Sequence, residues 1–193
     1  MWSQAAIPGG LRILMVDGSC NAQGWEADFS DRVFNVLRKK SLALVGEFPL
    51  RASSPPDLAE AVQDQDAFNC IFLMCHGAEG EAPPDSRLSS FWAWLSAPGR
   101  LAPKLLAVCT YETYDADSSQ YILDAKDSFA QFAVVPRSEM TARAAGLFFM
   151  KFFVEMNLHT EDHITGKMAW FSHAKARELL KRRNLPGQMG IRC

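Results

Sequence analysis

A histidine and a cysteine each stand at the end of an apolar run, and together they could perform nucleophilic chemistry. His76 follows the run 69–75 (NCIFLMC), and Cys109 closes the run 104–109 (KLLAVC). A thiol beside an imidazole is a usable nucleophile with its base. Gly77 has no side chain to shield its backbone N–H, which could approach a substrate carbonyl oxygen together with the N–H of Cys109. These groups predict a thiol-based site with an oxyanion hole.

Both residues also have a purely structural interpretation. A cysteine in an apolar strand is usually a small buried hydrophobic residue. A single histidine at a strand end is more often a hydrogen-bonded surface residue. The occurrence of both, each at the end of its own buried run, favours the chemical interpretation.

Apolar runs alternate with helical patterns along the whole chain. The predicted strands cover 11–16, 41–50, 69–75, 104–109 and 129–135. The predicted helices begin at Asp28 or Ser30, at Ser54, near Leu88, at Ser138 and near Gly166. This alternation predicts an α/β fold, a three-layer sandwich with a mainly parallel sheet.

Right-handed crossovers in such a fold place the carboxyl ends of all parallel strands at one edge of the sheet. Ligands bind at that edge. It would carry Asp17, His76, Gly77, Cys109 and the segment 136–138.

Composition limits the classes of protein that the chain can belong to. It has 193 residues, 48% of them hydrophobic and 22% charged, with a net charge of -2. These values predict one folded domain over 1–193 with a core over about 11–183, and they exclude a disordered chain. The low net charge argues against nucleic-acid binding through bulk basicity. The basic segment 167–193, with seven basic residues and one acidic residue, is explained more simply by a helix C-terminus.

The same sequence predicts a cytoplasmic protein that does not bind membranes. No run approaches about 18 apolar residues, and the first residues have neither a basic nor an apolar signal region. Five cysteines, an odd number without zinc-binding spacing, favour free thiols in a reducing compartment. His159 and His163 are four residues apart without an evident third ligand. We therefore expect no metal and no cofactor.

An apolar strand ending in His-Gly, followed by an apolar strand ending in Cys, resembles the caspase-like (clan CD) cysteine peptidases. The CHAT subgroup shows the closest resemblance. The relevant segments are 71–77 (IFLMCHG) and 105–109 (LLAVC), followed by 129–153 and 168–180, which look like the next strand with its long helix and the closing helix of the family. The resemblance covers about residues 11–183.

The resemblance implies a cysteine endopeptidase with a His76/Cys109 dyad and no orienting aspartate. Cys109 would attack the scissile carbonyl, and His76 would protonate the leaving amine. The implied partners are a protein or peptide substrate and a regulatory protein or a second copy of the chain, because no sensor region is attached.

Acidic residues near the predicted site suggest a substrate preference. In related enzymes, the end of the first strand and the loop after the cysteine shape the pocket for the residue before the cut. Here these positions carry Asp17, Glu112, Asp115 and Asp117, which would favour Lys or Arg in the substrate. A solvated acidic loop is the competing interpretation.

Two alternatives remain open. Val108 stands where the family usually has Ala, and 136–139 replaces its Trp and Asp, so an inactive interaction domain on the same fold would look much the same. A flavodoxin-like receiver or nucleotide-binding domain is the second alternative. A receiver domain requires Asp at the end of the third strand, where this chain has Cys-His-Gly at 75–77. A dinucleotide-binding domain requires a Gly-rich turn after the first strand, which the segment 17–20 lacks.

Overall fold

The computed structural model describes residues 10–17, 25–51, 68–76, 103–111, 130–159 and 163–193. Its strands are β1 (Arg12–Asp17), β2 (Ala43–Leu44), β3 (Leu50–Arg51), β4 (Cys70–His76), β5 (Leu105–Tyr111), β6 (Phe132–Pro136) and β7 (Met189–Arg192). Its helices are α1 (Trp25–Lys39), α2 (Ala142–His159) and α3 (Gly166–Arg182). Among the described residues, no helix is both long enough and apolar enough to cross a membrane.

The strands form one mixed sheet that is mostly parallel. Its order is β2-β1-β4-β5-β6-β7, and β3 also pairs with β1. The pairs among β1 to β6 are parallel, whereas β7 runs antiparallel to β6. The prediction of an α/β fold with a mainly parallel sheet is therefore confirmed.

The central strands are buried on both faces, as their continuous apolar sequences predict. One face packs in a single core with α1, α2 and α3; its strand residues include Ile13, Phe72, Ala107 and Val134. Residues on the opposite face are equally buried, with 0–1% of their surface exposed: Leu14, Val16, Ile71, Leu73, Leu106, Val108, Ala133 and Val135.

An aromatic cluster joins α2 to the middle of the sheet. The ring of Phe72 in β4 lies 4.7 Å from that of Phe149 and 5.0 Å from that of Phe153, measured between ring centroids. Phe148 and Phe152 stack on each other one helical turn apart. This packing holds β4, the strand that ends at His76, against the helical layer.

Threonines cap the two long helices at their N-termini. The Oγ1 atom of Thr141 accepts a hydrogen bond from the N–H of Ala144 at 3.2 Å, and Thr165 caps α3 through the N–H of Met168 at 3.3 Å. The predicted cap at Ser138 is wrong, because its hydroxyl instead accepts a hydrogen bond from the N–H of Gln188 at 2.9 Å.

The main differences from the predicted strands concern β5, the segment 41–50 and β7, while β6 begins three residues later than predicted. β5 does not end at Cys109 but continues to Tyr111, because Thr110 and Tyr111 are good strand formers that pair with the end of β4. The predicted strand 41–50 is broken into β2 and β3 by the five residues between them. The short strand β7 is absent from the prediction, because four residues carry little periodic signal.

The C-terminal segment is hydrogen-bonded to the end of β6 and to α3. The N–H of Arg137 donates a hydrogen bond to the carbonyl oxygen of Gln188 at 2.7 Å. Nε2 of His173 on α3 donates to the carbonyl oxygen of Met189 at 2.9 Å, and the His173 ring lies edge-on to Phe148. His173 is 5% exposed, so it is a histidine packed in the interior.

We expect acid to weaken the fold through His173. Burial is the main cause that lowers the pKa of His173 below its ordinary value of 6.5, and the nearby charge of Arg177 lowers it further, against the hydrogen bond to Met189. The unfolded chain then binds this proton more readily than the folded one. The contribution of His173 to stability is complete above about pH 6.5 and is lost as the pH falls toward the lowered pKa of the folded state.

Urea unfolding at a series of pH values tests this prediction against a His173→Gln variant, whose amide cannot titrate. Below about pH 6.5 the wild type should lose more free energy of unfolding than the variant does. Parallel curves for the two proteins would contradict the assignment.

Candidate active site

The two predicted catalytic residues lie on neighbouring strands, at the carboxyl edge of the sheet. His76 is the last residue of β4 and pairs in register with Tyr111, whereas Cys109 pairs with Met74. Cys109 therefore lies two residues short of the level of His76. A strand spacing of about 4.8 Å and a rise of about 3.3 Å per residue place their Cα atoms about 8 Å apart. Strand alternation assigns positions 76 and 109 to the same face.

Cys109 lies inside the core rather than at an open strand end. Only 1% of its surface is exposed, and it belongs to the cluster that packs beneath the helices. Tyr111, two residues further on, is the last residue of its strand. A thiol at this depth cannot meet a peptide bond without a local rearrangement of the chain that covers it.

The other described thiols provide a comparison for Cys109. Cys70 begins β4 on the same face of the sheet and is fully buried, and this burial raises its pKa well above the ordinary value. Cys193 is exposed at the end of the chain. The reactivity of Cys70 therefore represents a buried thiol far from the carboxyl edge. The reactivity of Cys193 represents an exposed thiol.

Asp17 is the predicted pocket residue whose position the structure describes. It ends β1 in register with Met74, which itself pairs with Cys109, so the three residues form one row across three strands. Asp17 is 3% exposed, and its Oδ2 atom accepts a hydrogen bond of 2.7 Å from the hydroxyl of Ser30. This bond ties the carboxyl end of β1 to α1.

Ser30 has a role that the sequence interpretation missed. It was predicted as a helix cap, but α1 begins at Trp25 and Ser30 is a buried residue within it. The available signal was its spacing: Ser30, Val33, Phe34 and Leu37 follow the i, i+3, i+4, i+7 pattern of one helix face. A polar residue on such a face requires a buried partner, and Asp17 is that partner.

The remaining predicted positions divide into two groups. Gly77, Glu112, Asp115 and Asp117 lie outside the described residues. Beyond the end of β6, Gln188 hydrogen-bonds to the backbone of Arg137 and to the hydroxyl of Ser138. The C-terminal segment therefore occupies that part of the edge.

His159 and His163, the two histidines considered as metal ligands, have different surroundings. Nε2 of His159 lies 3.7 Å from a carboxylate oxygen of Glu155, on the same helix. His163 is exposed in the connection to α3. In the described ranges, no three His, Cys, Asp or Glu residues come together as metal ligands.

Comparisons with protein-family models, with curated proteins and with solved structures find no match to this chain. The structural features that bear on function are therefore the row Asp17–Met74–Cys109 and the position of His76 two residues beyond Met74 on β4.

Proposed function

We propose that this chain is a cytoplasmic, caspase-like cysteine endopeptidase of the CHAT type, with His76 and Cys109 as its dyad. The thiolate of Cys109 attacks the scissile carbonyl and forms an acyl-enzyme. His76 gives a proton to the departing amine, and water then releases the acyl group. The observation that carries the proposal is the placement of these two residues on adjacent parallel strands, about 8 Å apart and on one face.

A three-layer sandwich is the architecture that we propose for this peptidase. The described helices all pack with one face of the sheet. Yet side chains on the other face, such as Leu73 and Val108, are just as deeply buried. A large apolar sheet face excludes water to this extent only when further chain covers it, which supports a second covering layer.

The buried thiol supports a latent enzyme that needs activation. Cys109 is 1% exposed, so substrate access requires movement of the covering chain. We propose that a regulatory protein, a second copy or proteolytic processing causes this movement. The acidic pocket, of which Asp17 is the described member, would then take a Lys or Arg side chain before the cut. The bond from Ser30 keeps the Asp17 carboxylate engaged in the latent form.

The same burial favours one alternative, an inactive interaction domain. In that case Cys109 is a core residue that resembles Cys70, and the carboxyl edge carries no chemistry. The two functions differ in the reactivity of a single thiol.

Alkylation of the native protein with iodoacetamide, followed by peptide mass spectrometry, distinguishes these functions. Each cysteine is quantified between about pH 5 and about pH 9. If the dyad forms, Cys109 should react at least about tenfold faster than Cys70 near pH 6.5, because an adjacent imidazolium maintains the thiolate. His76→Ala should remove this advantage. His163→Ala, which changes an exposed histidine elsewhere, should keep it.

Cys70 and Cys193 serve as internal controls for the labelling. Cys193 is exposed, although partial burial raises the pKa of its thiol, and it should keep one labelling rate in every variant. If the labelling of Cys109 follows that of Cys70 at all pH values, both thiols react only through unfolding. That outcome would show that the latent chain holds no formed dyad. If His76-dependent labelling of Cys109 is also absent after limited proteolysis, the interaction domain is the better function.

A further inference from the structure

An exposed apolar patch lies on the outer face of α3. Trp170 is 61% exposed, Phe171 is 37% exposed, and Leu158 at the end of α2 is 69% exposed. We define the α3 patch by these three residues together with Lys167, Ala174 and Lys175. Exposed apolar side chains that are grouped on a surface commonly mark an interaction site.

Helix spacing and side-chain size indicate a depression at the middle of the patch. On a helix surface, the neighbours of a residue are those three and four positions away. Ala174 therefore lies among Trp170, Phe171, Arg177 and Glu178. A small side chain among four larger ones leaves room for a side chain from a neighbouring helix.

Phe171, one of the two aromatic residues of the patch, has contacts that restrict its ring before any partner binds. The ring of Phe171 meets the ring of His159 edge-on, with 5.1 Å between centroids. The Nζ atom of Lys175 lies 5.3 Å from the centroid of the same Phe171 ring. Binding to a preorganised surface costs less conformational entropy than binding to a mobile one.

Positive charge surrounds the depression. Lys167, Arg177 and Lys181 are exposed, and the segment from 167 to the end of the chain has only one acidic residue, Glu178. The Glu178 carboxylate forms an ion pair with Arg182. Its Oε2 atom also lies 4.0 Å from Nζ of Lys175, which is the outer limit of an ion pair. Lys175 thus retains capacity for an incoming carboxylate.

We propose that the α3 patch docks an acidic amphipathic helix of a partner protein. An apolar side chain of the partner would sit over Ala174, between Trp170 and Arg177, and its flanking carboxylates would meet Lys167 and Lys175. The recessed shape favours this occupant over a lipid surface, because membrane-binding helices insert a protruding apolar face into the bilayer. This inference does not depend on the proposed peptidase activity.

Fluorescence anisotropy with a labelled synthetic peptide tests the docking. The probe is a helical peptide of about five turns with Leu on one face and Glu on the other, and the reference peptide has Lys in place of Glu. We expect micromolar binding of the Glu peptide that weakens with salt and much weaker binding of the Lys peptide. Trp170→Ala, and Ala174→Phe, which fills the depression, should each weaken binding about tenfold or more.

Phe48→Ala is the matched control, because Phe48 is an aromatic residue that is 73% exposed outside the patch. This variant should bind as the wild type does, and thermal unfolding verifies that every variant is folded. Equal binding of the two peptides, or full binding by Trp170→Ala, would overturn the proposal. So would Trp170-dependent sedimentation with phosphatidylserine vesicles without peptide binding, which would assign the patch to a membrane. Trp170-dependent self-association without peptide binding would overturn it as well, because the occupant would be a second copy.

Discussion

Replacement of Phe149 by alanine should lower the free energy of unfolding by about 3–5 kcal/mol. Phe149 is 1% exposed, and its ring contacts those of Phe72, Phe148 and Phe153. Truncation would remove these contacts and leave a cavity between α2 and β4 that its neighbours cannot fill without moving. Urea denaturation monitored by circular dichroism gives the difference directly.

Phe48→Ala provides the control for this measurement as well. The Phe48 ring is mostly in water, so its loss should change the free energy of unfolding by no more than about 0.5 kcal/mol. Similar effects for the two variants would contradict the burial that the structure assigns to Phe149. Because Phe149 packs on Phe72, the Phe149→Ala variant should also loosen β4. Faster alkylation of Cys70, at the start of that strand, would report this loosening.

Replacement of Gly187 by alanine should lower the free energy of unfolding by about 2–6 kcal/mol. Gly187 has a φ angle of +122°, a backbone conformation that residues with a side chain rarely adopt. A Cβ atom at this position would lie 2.5 Å from Cγ of Met140. Met140 is 1% exposed, so the clash cannot be relieved by turning its side chain into solvent. Thermal and urea unfolding measure the combined cost of strain and overlap.

Gly10→Ala separates the two contributions. Gly10 has a similar φ of +116°, but no atom lies within 4 Å of the position of a Cβ atom. Its replacement should therefore cost only backbone strain, about 1–3 kcal/mol. If Gly187→Ala were no more destabilising than Gly10→Ala, the C-terminal segment would not be packed against Met140 as described.

The proposed peptidase and the proposed docking surface share one layer of the protein. α3 packs in the same core cluster as Cys109, on the same side of the sheet. A partner bound to the outer face of α3 would therefore contact the layer that covers the thiol. Both proposals nevertheless stand separately, because the alkylation experiment uses no partner and the peptide experiment uses no reactive cysteine.

Local sequence was sufficient to predict the interior of the sheet. The runs that became β4 and β5 are apolar without interruption, which is expected of strands buried on both faces. Their adjacency, and with it the neighbouring placement of His76 and Cys109, was only an inference from parallel topology. The register was not accessible, because a shift of two residues preserves the same apolar pattern. The structure pairs Cys109 with Met74 rather than with His76.

Local residue patterns were enough to predict the α/β class, the central apolar strands and the approximate positions of α2 and α3, because these depend on periodicity within short segments. The three-dimensional structure was needed to show that Cys109 is buried, that Ser30 hydrogen-bonds to Asp17, and that β7 pairs with β6. Each of these facts depends on contacts between residues distant in the chain. Such contacts follow from the packing of whole elements, and no local pattern of residues encodes them.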